Sequence, residues 1–202
     1  MNCCDEIQYY QYALGLILIF GTFIYFRQYL KIKQLVESED SLITEVYFDE
    51  LTDLPNRRNI ETVLTDQISR CARHEKSFFV AYIRIDNLNA IFQNSSKEQG
   101  DIMTQKAADT LFNCIRKEDM VGHISRDAFI IIFNEYLQED KLEIIFKRVF
   151  DSISKDFDYS VGISLFPDDA QETQHLIESA EKAAKKVSAK ESKHFHLFQS
   201  DS

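Results

Sequence analysis

The chain has 202 residues, 45% hydrophobic and 28% charged, with only five Gly and two Pro. That composition suits one well-buried domain plus an appendage and excludes long disordered or collagenous stretches. Asp and Glu total 33 against 23 Lys and Arg, and the resulting net charge of -10 repels nucleic-acid backbone, so a nucleic-acid partner is not expected and any nucleotide ligand needs a specific pocket.

The first predicted element is a membrane span over residues 7–26, after a short extracytoplasmic tail of residues 1–6. No residue from Ile7 to Phe26 is charged, and roughly 20 such residues at about 1.5 Å rise cross a hydrocarbon core of about 30 Å. A cleaved signal peptide fits poorly, because Asp5 and Glu6 precede the run and bulky aromatics follow it. Arg27, Lys31 and Lys33 follow immediately and hold that end on the cytoplasmic side, while Tyr9, Tyr10, Tyr12, Tyr25 and Tyr29 suit the two interfaces. The body of the protein is therefore expected in the cytoplasm.

Residues 27–47 read as a linker helix. Ile32, Leu35, Leu42 and Val46 stand close to a and d positions of two imperfect heptads interrupted by Glu39. A helix docking on the domain explains them as well as a dimer does. Among the four cysteines, Cys71 and Cys114 are expected as reduced core residues, and the vicinal Cys3-Cys4 pair lies outside any lipoprotein-like cleavage context.

Residues 48–202 read as one α/β domain. After "TDLPNRR", Ile60, Val63, Leu64 and Ile68 recur at helical spacing. "SFFVAYIRID" is a near-continuous apolar run, the pattern of a strand covered on both faces. The segment from Lys97 to Ile115 predicts a helix with Ile102, Met103, Ala107, Ala108, Leu111 and Ile115 on one face. "VGHISRDAFIIIF", Val121 to Phe133, reads as a β-hairpin, although its break lacks the Asn-Gly, Asp-Gly or Gly-Gly pair that tight hairpins favour. A helix with Leu142, Ile145, Val149 and Ile153 follows, then the strand "FDYSVGISLF", a helix through "TQHLIESAEKAAKKVSA" and a last strand "HFHLFQ". This order predicts a mixed central sheet flanked by helices, a ferredoxin-related, palm-like sandwich. His194 and His196 alternate on the last strand without a third ligand in reach, and His74 and His123 have no evident partner.

Four stretches, in order and with matching spacing, resemble the GGDEF family of diguanylate cyclase domains. They are "DELTDLPNRR" from Asp49, with Asp53 where the family has Gly; "IRIDNLNAIFQNSSKEQGD" from Ile83; "RKEDMVGHISRDAF"; and "SVGISLFPDD" followed by "AEKAAKKV". The resemblance implies a bacterial protein and a fold that joins two GTP molecules into cyclic di-GMP, with divalent metal offsetting the developing charge. It assigns the metal to the first Asp of D-x-D and the third signature position, which fall on Arg84 and Asp127. A guanidinium repels Mg²⁺, so Mg²⁺ enters only if residual nucleotide binding persists through the vestigial Asp86, Asp101 and Asp127; no other cofactor is expected.

The family's Gly-Gly falls on Ser125 and Arg126, its fourth signature position on Ala128, and its last on Phe129. Of its two base-reading positions, one is Phe92 and the other is retained as Asp101; its phosphate-binding Lys and Arg fall on Ser188 and Ser192. The resemblance therefore implies a degenerate member with no cyclase activity.

Arg116 and Asp119 match the family's inhibitory R-x-x-D motif, which binds cyclic di-GMP, and Lys147 or Arg148 stands where a second basic residue completes that site. Arg forks onto phosphate or the guanine Hoogsteen edge, and Asp accepts from guanine. The same four-residue run is also read as an ordinary charged helix exit. The expectation is an inner-membrane regulator or receptor in cyclic di-GMP signalling. A homodimer or scaffold with a protein partner is the alternative, and a weak cyclase is a third.

Overall fold

The structure is a computed structural model, described over residues 20–33, 46–133, 147, 151, 157–187 and 195–197. It divides into two units, Met1–Val46 and Tyr47–Ser202. In the first, residues 20–33 form helix α1, whose Phe20, Phe23, Tyr25, Phe26, Tyr29 and Ile32 are all exposed. Among the described residues no helix is long and apolar enough to cross a membrane. Residues 7–19 of the predicted span and 34–45 of the predicted linker lie outside the described residues.

The second unit runs α2 (Arg57–Arg73), β1 (Phe78–Ile85), α3 (Leu88–Asn94), α4 (Lys97–Cys114), β2 (Met120–Ser125), β3 (Ala128–Ile132), β4 (Tyr159–Phe166), α5 (Thr173–Lys186) and β5 (Phe195–Leu197). The sheet order is β2-β3-β1-β4-β5, antiparallel except for the parallel β4–β5 pair. This is the predicted mixed sheet with flanking helices. Short α3 is additional, since seven residues hold too few turns to show helical periodicity. The helix predicted around Leu142 lies outside the described residues apart from Lys147 and Asp151, which are helical.

Central strand β1 explains the core. Its period of two sends Phe79, Ala81, Ile83 and Ile85 to the α4 side, among Ala107, Leu111 and Phe129. Phe78, Val80 and Tyr82 go to the other side, among Ile60 and Leu64 of α2 and Leu176 and Ala180 of α5. Both faces are covered, so the strand has no polar alternation until Arg84. Each fully buried Phe or Ile stabilises the fold by roughly 1.5–3 kcal/mol.

Helix starts follow their caps: the Asn56 side chain accepts from Asn59 N before α2, and Ser96 from Gln99 N before α4. The buried face of α4 is the predicted one except at Ile102, with Met103 and Ile115 packed against the core. Thr104, Ala107, Ala108, Leu111 and Cys114 point inward, while Ile102 is 55% exposed. Positions i, i+3, i+4 and i+7 from Thr104 form a continuous stripe, and its small residues let α4 approach the sheet. Cys71 and Cys114 are buried and unbridged, as expected. Gly162 of β4 lies directly under α5, where a Cβ would overlap Ala180 O and Ala184 N.

Candidate functional site

The site lies where the C-terminal end of β1 meets the β2–β3 turn and the start of α4. The quoted hairpin is real: Ser125 pairs with Ala128 across a two-residue turn of Arg126 and Asp127, with a register shift between His123 and Ser125. Among the described residues only Asp53 and Glu75 are non-glycine residues with positive φ. The turn therefore runs without left-handed backbone, and glycine is not demanded there by geometry. Side chains at 125 and 126 cost nothing in turn conformation; they occupy space that a Gly-Gly pair would leave open.

Arg84 takes its place on β1 between Ala128 of β3 and Ser160 of β4. Its Nε donates to Asp86 Oδ1 at 2.7 Å, and Ser160 Oγ donates to Asp86 Oδ2 at 2.6 Å. Both oxygens of Asp86 are thus engaged. The other carboxylate, Asp127, accepts from Asn89 Nδ2 at 2.6 Å through Oδ2, and its backbone O accepts from Ile85 N. Tyr82, one strand step before Arg84 on the same face, has its phenol pushed up to about 12 by burial, with the Glu181 and Asp127 carboxylates adding to the effect.

This donor set does not fit a divalent cation. A hard cation needs several unoccupied oxygens around one point, whereas here a guanidinium sits against Asp86, and Asp127 is bonded to Asn89. Among the described residues no group of three or more His, Cys, Asp or Glu could hold a metal ion.

Beside this cluster is a cavity of about 370 Å³ lined by Leu51, Phe92, Lys97, Asp101, Thr104, His123 and Arg126. The Phe92 ring rests on Gly100, where a Cβ would overlap it. The Arg126 guanidinium stands over the same ring, 5.2 Å from its centroid, a cation–π arrangement. Structure thus brings Phe92, Asp101 and Arg126 together at one pocket, next to the Arg84, Asp86 and Asp127 cluster.

His123 was expected to lack a partner, and here the structure corrects the sequence. Its imidazole is 7% exposed, stacks on Phe129 at 4.8 Å between centroids, and places Nδ1 3.0 Å from Asp49 Oδ1. That pair is close but poorly aligned as a hydrogen bond, and Nε2 has no partner. Asp49 also accepts from Leu51 N, Thr52 N and Thr52 Oγ1. Burial pushes its carboxyl up, but His123 and Thr52 together outweigh burial and hold it below the usual range. Asp49 itself was visible as the opening of the D-x-L-T run. Nothing local pairs it with position 123; the contact arises because His123 N donates to Pro55 O, laying that loop on β2.

Arg116 and Asp119 form a turn between α4 and β2, with Asp119 N donating to Arg116 O at 3.2 Å. The Arg116 side chain is about half exposed and lies 3.8 Å from Glu118. Lys147 is exposed; Arg148, Ser188, Ser192 and His194 lie outside the described residues, as do the side chains of β5.

The sheet order, the β2–β3 turn at the end of β1 and the adjoining pocket define an α/β domain of the diguanylate cyclase fold. The coiled-coil and GGDEF domain of DgcB from Caulobacter crescentus, solved with c-di-GMP, superposes with a TM-score of 0.74 at 14% identity, over 83% of this chain and 93% of that one. The S helix-GGDEF-EAL region of Vibrio cholerae LapD gives 0.73 at 21% identity, over 85% and 41%. A family model described as "Diguanylate cyclase, GGDEF domain" matches residues 46–194, and the chain belongs to that family.

Among curated proteins it is 25% identical over 158 residues to the bifunctional diguanylate cyclase/cyclic di-GMP phosphodiesterase MucR of Pseudomonas aeruginosa, over 74% of this chain and 23% of that one. It is 26% identical over 130 residues to the diguanylate cyclase DgcP of Escherichia coli, over 63% and 38%. The chain thus spans about a quarter to two fifths of the length of these relatives.

Proposed function

We propose that this chain is a catalytically inactive GGDEF-domain protein, held in the bacterial inner membrane by residues 7–26 with its domain in the cytoplasm. In this reading it acts as a receptor or regulator in cyclic di-GMP signalling. The observation that carries the inactivity is the ion pair of Arg84 with Asp86 at the position where a metal-binding Asp is expected. Asn89 on Asp127 and Phe92 in the pocket support it: one oxygen of the second carboxylate is engaged, and a phenyl ring stands where a base contact is expected.

The receptor role rests on the Arg116–Asp119 turn, whose guanidinium is accessible at an exposed corner of the domain. Lys147 or Arg148 supplies the second cation. A homologous structure solved with c-di-GMP makes that ligand the natural probe. A second reading, a nucleotide-independent interaction module, draws on exposed Ile102 and Phe112 of α4; in P. aeruginosa the diguanylate cyclase SiaD was solved with its activator SiaC.

Calorimetric titration of cyclic di-GMP into the 202-residue chain in detergent separates these readings. Binding lost on Arg116→Ala supports the receptor, and no binding leaves the interaction module. Incubation with GTP and Mg²⁺ or Mn²⁺ is expected to give no cyclic di-GMP; product formation sinks the inactivity.

A further inference from the structure

The cavity under the β2–β3 turn combines apolar walls with charged groups. Its apolar walls are Leu51 and the Phe92 ring, and its volume of about 370 Å³ falls at the lower end of small-molecule sites. Three charged groups converge on it: Lys97, Asp101 and Arg126. None of them belongs to an ion pair within the described residues. The wall also holds Thr104 and His123, the latter only 7% exposed, with Nε2 lacking a hydrogen-bond partner. A buried ring nitrogen left in that state is costly unless a water or ligand meets it.

The chemistry of a fitting ligand follows from these groups. The Arg126 guanidinium stands over the Phe92 ring, 5.2 Å from its centroid, so a planar ring entering the cavity meets a cation already held beside an aromatic wall. Among the charged lining groups Lys97 and Arg126 outnumber Asp101, which favours an anion; a carboxylate suits the planar donor fork of Arg. Asp101 accepts only, so the ligand also needs an N–H or O–H. His123 Nε2, without a hydrogen-bond partner at the wall, is a further polar contact for the ligand. A purine base is disfavoured, because Phe92 rests on Gly100 in the slot and supplies no hydrogen bond to a base edge.

The geometry points to a binding site for a small planar aromatic carboxylate bearing a ring N–H or O–H, between Phe92, Arg126, Lys97 and Asp101. This site is separate from the Arg116–Asp119 turn and does not depend on cyclic di-GMP binding there.

The test uses 4-hydroxybenzoate and indole-3-carboxylate as probes, titrated at up to millimolar concentration into the 202-residue chain in detergent and followed by ligand-observed NMR. Saturable binding is expected, weakened about ten-fold by Arg126→Ala and by Asp101→Asn, both at positions open enough to solvent to leave the fold intact. GTP should not displace the probes, and cyclic di-GMP binding measured on the same samples should not change with Arg126→Ala. Absence of binding by both probes overturns the proposal. So does binding indifferent to both substitutions, or displacement by GTP.

Discussion

Arg84 Nε, near the end of β1, lies 2.7 Å from Asp86 Oδ1, one residue past the strand. The pair is partly buried, with side chains 30% and 21% exposed, and Ser160 completes it from β4. A positive charge of the chain's own thus stands against the Asp86 carboxylate. Arg84→Met should leave Asp86 with one fewer partner in a half-desolvated place. The expected loss is about 1–2 kcal/mol, read as a lower urea midpoint at unchanged m-value.

Gly162 has no such latitude. A Cβ there would overlap backbone atoms of α5, Ala180 O and Ala184 N, and backbone does not step aside as a flexible side chain does. Gly162→Ala should push α5 off β4 and cost about 3 kcal/mol, measured by thermal or denaturant unfolding.

Asp53 sits at φ 55, in the left-handed region, where the resemblance places Gly. Asp tolerates this conformation better than most residues but still less well than Gly. Asp53→Gly relieves that strain while loosening the unfolded chain, and the net gain should be about 0.5 kcal/mol, visible as a small rise in Tm.

Two carboxyls give opposite pH slopes. Asp49 is held below its ordinary 3.8: burial raises it, and His123 and Thr52 more than offset that. Its stabilisation is complete above the unfolded value and is lost as pH falls through the folded one. Asp169 is raised, first by burial and also by Asp168, against the lowering effect of Leu165 N. The folded state therefore holds its proton more tightly, and stability falls as pH rises from 3.8 through the folded value. Asp49→Asn should flatten the acid loss of stability, and Asp169→Asn should raise stability at neutral pH relative to acid. Denaturant titrations between pH 3 and 7 (about that range) check both.

Much of the domain was legible in its sequence, because its signals are local. The unbroken apolar run of β1 announces a strand covered on both faces, and the spacing around Ile60 and Leu64 announces α2. The residue types at 84, 92, 125, 126 and 128 carry the expectation of a degenerate member, while the spacing of the motifs around them carries the family. The hairpin between Val121 and Phe133 was legible for the same reason, since two apolar runs flank its turn, although the turn falls on Arg126 and Asp127 with Ser125 still in β2.

What those residues do to one another was decided only by tertiary structure. Whether Arg84 points away or onto Asp86 depends on β4 delivering Ser160 beside both. The pairing of His123 with Asp49 requires the Asp49–Leu54 loop to lie across β2. The inward face of α4 was misassigned at Ile102 because helical periodicity admits neighbouring stripes, and only the sheet it packs against selects one. Sequence determines which charges and apolar surfaces must be placed; the meeting of strands distant in the chain determines which of them become partners, because desolvation and hydrogen bonding act over a few ångströms of space and are blind to separation along the chain.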